Sequence, residues 1–219
     1  MNLREYFESN QRRHLIDKWD HYFDIYEKHF RPFVGKSVKI LEIGIYQGGS
    51  LQMWKEYFGP GAEIFGVDID PRCKKFEDGQ IRVFIGDQAD SKFLRGIVQR
   101  TGNFDIIIDD GGHRMNQQIT SFQVLYGYLN NGGVYLCEDL HTSYWEQYGG
   151  GLKKEGTFIE LVKQLIDELH SAHTKELLSS YYFTHHTTGI HIYDSVVVFD
   201  KQDRPLPTPQ RIGIPTINF

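Results

Sequence analysis

From Lys39 onward, the order of apolar and polar positions predicts an alternation of strands and helices. Short apolar runs are separated by segments in which apolar residues recur at helical spacing. The predicted strands cover residues 39–43, 63–68, 81–85, 104–109 and 133–138, and the predicted helices cover 49–58, 91–100, 116–128 and 157–173. This alternation is typical of a doubly wound α/β sheet, in which crossover helices join parallel strands.

The two ends of the chain depart from this alternation. Residues 14–31 are rich in Tyr, Phe and His, and they predict an amphipathic helix within an N-terminal helical cover at 1–35. Two further strands are expected at Leu178–Thr184 and Ile190–Phe199, too close together for a crossover helix, so we expect an antiparallel pair. The prolines of 201–219 predict an irregular tail. A single domain of 219 residues is expected.

One long stretch, 140–156, lacks any clear periodicity and follows the last parallel strand. Loops of that length are uncommon and often close over a binding site. Its aromatic residues Tyr144, Trp145 and Tyr148 and its run of glycines suit a mobile cover. We therefore predict a lid at this position.

The composition of the chain limits which partners and which cellular compartment are expected. Lys and Arg number 24 against 29 Asp and Glu, a net charge of −5 with the signs interspersed, so a nucleic-acid partner is not expected. The longest apolar runs, such as Val196–Phe199, are too short to cross a bilayer, and Met1–Arg13 has no apolar signal core. Cys73 and Cys137 are the only cysteines, so we expect a reduced, cytoplasmic protein.

The segment Ile40–Ser50 predicts a cofactor loop. A strand runs into Glu42, and the glycines that follow permit positive φ and a close approach to the backbone. About 20 residues on, the next strand ends at Asp68, which suits a ribose diol. The spacing is not Gly-x-Gly-x-x-Gly and no Walker lysine follows, so S-adenosylmethionine (SAM) fits better than a dinucleotide. A plain strand-to-helix turn is the alternative.

Acids follow two of the predicted strands. Asp109 and Asp110 end the strand at 104–109, and Glu138 and Asp139 end the strand at 133–138. With His113 close to Asp110, these acids suit a site for a hard divalent cation beside a titratable base. Solvated strand ends or helix caps are the alternative for each pair alone. The presence of both pairs behind a cofactor loop favours a functional site.

Several motifs of the chain resemble those of the metal-dependent sugar O-methyltransferases, of which the mycinamicin-type macrolide-sugar enzymes are members. The matching motifs are Leu41-Glu42-Ile43-Gly44, Gly66-Val67-Asp68, Gly86-Asp87-Gln88, Ile108-Asp109-Asp110-Gly111-Gly112-His113 and Glu138-Asp139-Leu140-His141-Thr142-Ser143-Tyr144-Trp145. The match runs from about Asp17 to Ser195, and the last two motifs are the specific ones. The glycine loop is shared across class I methyltransferases.

The resemblance implies a Rossmann-like class I methyltransferase sheet and assigns roles by position. It implies that Asp110, Glu138 and Asp139 bind Mg²⁺ and that His113 is the general base. The candidate SAM-binding residues are Glu42, Gly44, Gly48, Ser50, Asp68, Asp87, Gln88 and Asp109. Two positions depart from the family pattern: Gly112 stands where Ser is usual, and His141 stands where Gln is frequent.

The expected function is transfer of a methyl group from SAM to a hydroxyl of a sugar or glycoside, as in natural-product biosynthesis. The expected partner is a small-molecule glycoside, without nucleic acid or membrane, and a homo-oligomer is left open. Methylation of a catechol or other small diol remains an alternative, and so does a catalytically idle binding protein of the same fold. For Lys18, His21 and Tyr22, solvated surface is the simpler interpretation and closure of the cofactor site is the alternative.

Overall fold

The computed structural model describes residues 2–217; Met1, Asn218 and Phe219, at the ends of the predicted cover and tail, lie outside the described residues. The seven strands are β1 (Lys39–Ile43), β2 (Glu63–Asp68), β3 (Ile81–Ile85), β4 (Phe104–Asp109), β5 (Leu129–Cys137), β6 (Thr187–Tyr193) and β7 (Val196–Lys201). The α-helices are α1 (Leu3–Glu8), α2 (Tyr22–Phe30), α3 (Gly49–Phe58), α4 (Ser91–Thr101), α5 (Met115–Leu125), α6 (Phe158–Leu169) and α7 (Tyr182–His186).

The strands form one sheet in the order β3-β2-β1-β4-β5-β7-β6. The first five strands pair in parallel, and β7 runs antiparallel to both β5 and β6. The predicted doubly wound sheet with an antiparallel C-terminal pair is therefore confirmed. The strand order reverses between β1 and β4, and ligands of such sheets bind outside the carboxyl ends of the strands at this point.

The central strands β1 and β4 are mainly apolar because both faces of the sheet are covered. Alternate residues face opposite sides: Ile40 of β1 packs with one core, together with residues of α1 to α3, and Leu41 packs with the other, together with residues of α4 to α7. The two faces are thus closed, and the carboxyl edge of the parallel strands is left for a site. No helix within residues 2–217 is long and apolar enough to span a membrane.

The predicted helix at 14–31 is wrong in its first half. Only Tyr22–Phe30 is helical, and a separate short helix that the sequence did not indicate covers Leu3–Glu8. The segment between them crosses the carboxyl edge of the sheet and packs so tightly on α3 that a Cβ at Gly49 would lie 2.3 Å from the Leu15 carbonyl oxygen. Tertiary contacts therefore override the helical spacing of the apolar residues here.

The C-terminal pair is antiparallel as expected, but its predicted bounds are wrong. The segment predicted as a strand at Leu178–Thr184 ends in helix α7, and the strand predicted at Ile190–Phe199 is divided between β6 and β7. A tight turn separates the two strands, with Ser195 in the left-handed region at φ 63°. The hydroxyl of Thr184 donates to the carbonyl of Glu168 at 2.8 Å, a contact that ties this segment to α6.

The stretch 140–156 is not structureless. It contains two short 3-10 helices, Leu140–Tyr144 and Glu146–Tyr148, closed by backbone hydrogen bonds from Gly150 and Gly151. Thr142 and Ser143 are buried. The tail after β7 is irregular from Gln202 to Ile217, as predicted.

Candidate active site

A cavity of about 690 Å³ opens at the carboxyl edge of the parallel strands. Its volume lies within the usual range for small-molecule sites. The lining residues come from the N-terminal segment and from the loops after β1, β2, β3, β4 and β5, and they include Lys18, Gly44, Ser50, Asp68, Asp87, Gln88, Asp110, His113, Glu138 and Asp139. The strand ends thus bring most of the predicted site residues to one place.

Gly44 permits the close contact between the first two loops. It has φ 92°, and a Cβ there would lie 1.9 Å from the backbone oxygen of Asp110. The side chain of Asp68 accepts hydrogen bonds from the backbone N–H groups of Ile45 at 2.9 Å and Tyr46 at 3.1 Å. The carboxylate at the end of β2 therefore holds the glycine loop and also faces the cavity.

Three of the predicted cofactor-binding residues lie behind the cavity wall: Glu42, Gly48 and Asp109 are absent from its lining. Glu42 is fully buried and accepts hydrogen bonds from the hydroxyl of Ser50 and the indole N–H of Trp54, each at 2.9 Å. Burial raises the pKa of Glu42 to about 7. Glu42 thus supports the loop from beneath rather than facing the cavity.

Gln88 supports the turn that carries the second set of candidate residues. Its side-chain N–H₂ group donates to Asp109 at 3.0 Å, and its oxygen accepts the backbone N–H of Gly112 at 2.8 Å. A Cβ at Gly111 would lie 1.9 Å from that same oxygen, so only glycine fits there. Burial raises the pKa of Asp109 to about 6. Asp87, in contrast, is an exposed part of the cavity wall.

Lys18 lies between the two acid pairs. Its ammonium donates to Asp110 and, at 2.8 Å, to Oε2 of Glu138, and its side chain is only 2% exposed. Burial alone would lower the pKa of Lys18, but the charges of Asp110 and Glu138 outweigh that effect and raise it. Burial also raises the pKa values of both acids. The two carboxylates therefore enclose a position that suits a cation.

Helix α2 holds two of the acids from above. The hydroxyl of Tyr26 donates to Oε1 of Glu138 at 2.7 Å, and that of Tyr22 donates to Oδ1 of Asp139 at 2.7 Å. Burial raises the pKa of each phenol, which keeps both as donors. These contacts orient the two acids and leave other oxygens facing the cavity.

His113 lies beside Asp139. Its Nε2 atom is 3.4 Å from Oδ2 of Asp139, and its backbone has φ 54°, a strained conformation in the turn after β4. Nδ1 is buried and has no hydrogen-bond partner among residues 2–217. One oxygen or nitrogen from each of Asp110, His113 and Asp139 lies within 4.8 Å of the others.

The departures from the family pattern lie at the rim of the site. His141 bonds through Nδ1 to the hydroxyl of Ser195 at 2.6 Å, and its ring centroid is 5.8 Å from that of Trp19 and 4.7 Å from that of Trp145. Both tryptophans are more than two-fifths exposed. A Cβ at Gly112 would meet only the flexible end of the Gln117 side chain.

Three site residues were missed or undervalued from the sequence. No pattern indicates a role for Tyr26, and solvated surface is the simpler interpretation for Lys18 and Tyr22. The contacts of all three join positions more than 100 residues apart in sequence. The only indication of a role for Lys18 is its position next to aromatic residues in a segment that matches the family. That indication comes from the resemblance alone.

Comparison with known proteins gives a consistent set of relatives, although no protein-family model matches the chain. The 8-demethyl-8-(2-methoxy-α-L-rhamnosyl)-tetracenomycin-C 3'-O-methyltransferase of Streptomyces olivaceus is 41% identical over 204 residues, which cover 86% of this chain and 52% of that protein. The mycinamicin VI 2''-O-methyltransferase of Micromonospora griseorubida is 37% identical over 188 residues, which cover 80% of this chain and 47% of that protein.

The relatives are sugar O-methyltransferases, and this chain is similar to them over most of its own length. A crystal structure of one similar protein, the methyltransferase MycE of the mycinamycin pathway, contains Mg, SAH and mycinamycin VI. It is 35% identical with a TM-score of 0.79, and the match covers 91% of this chain and 52% of MycE. The chain thus spans about half the length of the sugar O-methyltransferases it matches.

Proposed function

We propose that this protein transfers a methyl group from SAM to a hydroxyl of a glycosylated small molecule, with Mg²⁺ bound at the acids of the cavity. One observation carries the proposal: a glycine loop of the class I methyltransferase type lines the same cavity as three acids and a histidine, namely Asp110, Glu138, Asp139 and His113. The relatives named above, which are sugar O-methyltransferases, support the choice of a sugar hydroxyl.

The glycine-loop side of the cavity suits SAM. Gly44 lines the cavity, and Asp68 and Gln88 supply polar groups to the same wall. We assign Gly44, Ser50, Asp68, Asp87 and Gln88 to direct contact with the cofactor. The second group, Glu42, Gly48 and Asp109, would shape the loop and the turn without contact, because these residues lie outside the lining.

The acid side of the cavity suits Mg²⁺. The ammonium of Lys18 occupies a position between Asp110 and Glu138, so these oxygens already hold a cation. With Asp139 they form an all-oxygen set, which magnesium prefers over softer donors. Mg²⁺ bound there would hold the acceptor hydroxyl and make it more acidic.

Within this site, His113 would receive the proton of the acceptor hydroxyl at Nε2. That atom lies beside Asp139, so the base and the metal-binding acid share one wall of the cavity. Tyr22 and Tyr26 would keep Asp139 and Glu138 in place through their hydroxyl groups. Lys18 would leave its position between the acids when the metal binds.

The rim of the cavity supports a glycoside as acceptor. Trp19 lines the cavity, and His141 and Trp145 continue an aromatic surface from it. Exposed aromatic faces suit the apolar C–H faces of a sugar ring as well as its hydroxyl groups. We also propose that the 3-10 helices at 140–148 cover the bound acceptor.

The two free, buried cysteines support a reducing compartment such as the cytoplasm.

An acceptor panel tests the proposal. Formation of SAH from SAM is measured with a set of glycosides and with catechols, each with and without a chelator. Mg²⁺-dependent turnover with a glycoside is the expected result. Turnover with catechols alone would assign the enzyme to small diols, and saturable SAM binding without turnover of any acceptor would favour a binding protein.

A calorimetric titration tests the cofactor assignment separately. Asp68→Ala should weaken SAM and SAH binding strongly, because Asp68 both holds the loop and faces the cavity. Asp78→Ala is the matched control, since Asp78 also accepts two backbone N–H groups, from Gln80 at 2.8 Å and Ile81 at 3.0 Å, but lies outside the cavity. Binding of NAD in place of SAM would contradict the assignment.

A further inference from the structure

A second group of possible metal ligands lies away from the cavity, on the antiparallel side of the sheet. It consists of His29 at the end of α2, His191 on the edge strand β6 and Asp200 on β7. One donor atom from each lies within 4.8 Å of the others. None of the three lines the cavity.

The distances between donor atoms are close to those of a metal site. Nε2 of His191 is 2.6 Å from Oδ2 of Asp200, and Nδ1 of His29 is 4.0 Å from Oδ1 of Asp200. Tetrahedral Zn²⁺ with bonds of about 2.0–2.1 Å holds its donor atoms about 3.3 Å apart. The two observed distances lie on either side of that value and end at different oxygens of one carboxylate, so binding would require small movements of the carboxylate and of the rings.

The second nitrogen of His29 is already oriented. Its Nε2 atom is 2.8 Å from the hydroxyl of Tyr193, which also accepts a hydrogen bond from Lys28 at 2.9 Å. Metal-binding histidines usually donate their other ring N–H in this way, which turns the free lone pair toward the metal. In the tautomer that donates from Nε2 to Tyr193, the lone pair of Nδ1 faces the carboxylate of Asp200, an arrangement that suits a cation between them.

Burial and space agree with this arrangement. Burial lowers the pKa of His29 to about 4, so its ring stays neutral at neutral pH. His191 and Asp200 are about one-third exposed, which gives an ion access from solvent. A Cβ at Gly189 would lie 3.2 Å from Oδ2 of Asp200 and 3.3 Å from Nε2 of His191, so the absence of a side chain keeps the donor atoms uncrowded.

We infer that His29, His191 and Asp200 form a binding site for a transition-metal dication of the Zn²⁺ type. Two imidazoles and one carboxylate suit zinc rather than magnesium, and the exposed side leaves room for a water as fourth ligand. The exposed Lys28 is the nearby positive charge; it is directed at the Tyr193 hydroxyl and is accessible to solvent, which screens its repulsion of the ion.

The location gives the site a structural consequence. The metal would fasten the last turn of α2 to the two antiparallel strands, and the earlier turns of the same helix carry Tyr22 and Tyr26, which hold Asp139 and Glu138. A metal at the end of α2 would therefore stabilise the helix that orients the acids of the cavity.

Cobalt titration tests the inference, because Co²⁺ replaces Zn²⁺ and absorbs visible light when its coordination is tetrahedral. The titration is done with excess Mg²⁺ present, so that the all-oxygen acids are occupied. One saturable equivalent of Co²⁺ is expected, and Zn²⁺ should displace it and raise the melting temperature. His191→Ala, on the edge strand, should abolish both signals, and Tyr193→Phe should weaken the affinity by about 10–100-fold.

Two controls separate this site from other histidines and from the cavity. His186→Ala removes a histidine that also pairs with an acid, Asp203, but has no second imidazole beside that acid, and it should leave Co²⁺ binding unchanged. Asp139→Ala should likewise retain the signal. The inference is overturned if no saturable Co²⁺ absorption occurs with Mg²⁺ present, if His191→Ala keeps it, or if Asp139→Ala alone removes it.

Discussion

Lys18 places its ammonium 2.8 Å from the Glu138 carboxylate, inside a cluster of acids that would otherwise be buried without a counter-charge. The same ammonium also contacts Asp110. A single lysine is thus the shared counter-charge of two of the acids that we assign to Mg²⁺. It follows that lysine and metal compete for one position, and that Lys18 stabilises the metal-free protein.

Replacing Lys18 by Met separates these two roles. Without the ammonium, the buried Glu138 and the partly buried Asp110 of the metal-free protein have no counter-charge, which typically costs about 3–5 kcal/mol in free energy of unfolding. Mg²⁺ should restore much of that loss and should bind more tightly than in the parent, because no ammonium has to leave. Thermal unfolding with a chelator and with Mg²⁺ measures both effects.

The control for Lys18 is a lysine in a more exposed pair. Lys55 bonds to Asp78 with both side chains about one-third exposed, so Lys55→Met should cost at most about 1 kcal/mol, with or without Mg²⁺. Equal melting temperatures of Lys18→Met and the parent in chelator would show that Lys18 is not the counter-charge of the acids.

The acids of the site were predictable from sequence, whereas the lysine was not. Asp110 and Glu138 follow directly after apolar runs, and the carboxyl ends of neighbouring parallel strands meet at one edge of a sheet, so local pattern was sufficient to bring them together. Lys18 reaches the same edge from a segment without regular structure. No local pattern encodes a contact between residues 18 and 138.

The errors at the two ends of the fold have different origins. The helix predicted at 14–31 has suitable apolar spacing, but the ion cluster of Lys18 and the contact of Leu15 with Gly49 hold its first half in an irregular path. At the other end, the polar pair Asp194-Ser195 interrupts the apolar pattern, and the chain reverses there with Ser195 in the left-handed region. The N-terminal error thus comes from contacts distant in sequence, and the C-terminal error comes from a local turn signal that the predicted strand ignores.

Replacing Asp139 by Asn tests the metal assignment. An amide oxygen is a weaker ligand than a carboxylate, so the affinity for Mg²⁺ should fall at least about tenfold, and extra Mg²⁺ should recover part of the turnover. SAM binding should change little, since the side chain of Asp139 contacts Tyr22, His113 and His141 and no residue of the glycine loop. Titrating Mg²⁺ and measuring turnover at each concentration gives the Mg²⁺ affinity of the parent and of the variant.

The control for Asp139 is Asp90→Asn, which removes a carboxylate outside the cavity but keeps the N-cap of helix α4. It should leave the dependence on Mg²⁺ unchanged. Full turnover of the Asp139→Asn variant after exhaustive chelation would assign the acid a purely structural role.

Glu42 predicts a pH dependence of stability. Burial raises the pKa of Glu42 from 4.5 to about 7. Between pH 4.5 and 7, Glu42 therefore keeps its proton in the folded protein but has lost it in the unfolded chain. Its contribution is favourable below about pH 4.5, and the free energy of unfolding should fall as pH rises to about 7, by up to about 3 kcal/mol. Above that pH the contribution of Glu42 should level off.

Glu42→Gln isolates this contribution. The difference in unfolding free energy between the parent and Glu42→Gln, measured in chelator by denaturant titration, should decrease from pH 4.5 to 7. Glu77→Gln serves as control, because hydrogen bonds from Lys74 and the Val83 backbone lower the pKa of Glu77, and the corresponding difference should be flat over this range. A flat profile for Glu42→Gln would mean that Glu42 is ionised throughout.

His113 is the residue for which base and ligand roles can be told apart. Its Nε2 atom lies 3.4 Å from Oδ2 of Asp139 and is therefore close to the acids. Carboxylate oxygens alone suit Mg²⁺, so the metal site does not need His113 as a ligand. His113→Ala should therefore reduce kcat by about 10²–10⁴-fold while the affinities for Mg²⁺ and SAM stay nearly unchanged. His173→Ala, an exposed histidine outside the cavity, should have no effect on either.

The pH profile of turnover completes this test. A general base accepts a proton only in its neutral form, so the rate of the parent should rise with pH to a plateau. In His113→Ala that rising limb should disappear, because the imidazole that accepts the proton is gone. If the variant lost Mg²⁺ affinity together with kcat, His113 would be a metal ligand, and if it kept near-normal turnover across the range, the proton would leave by another route.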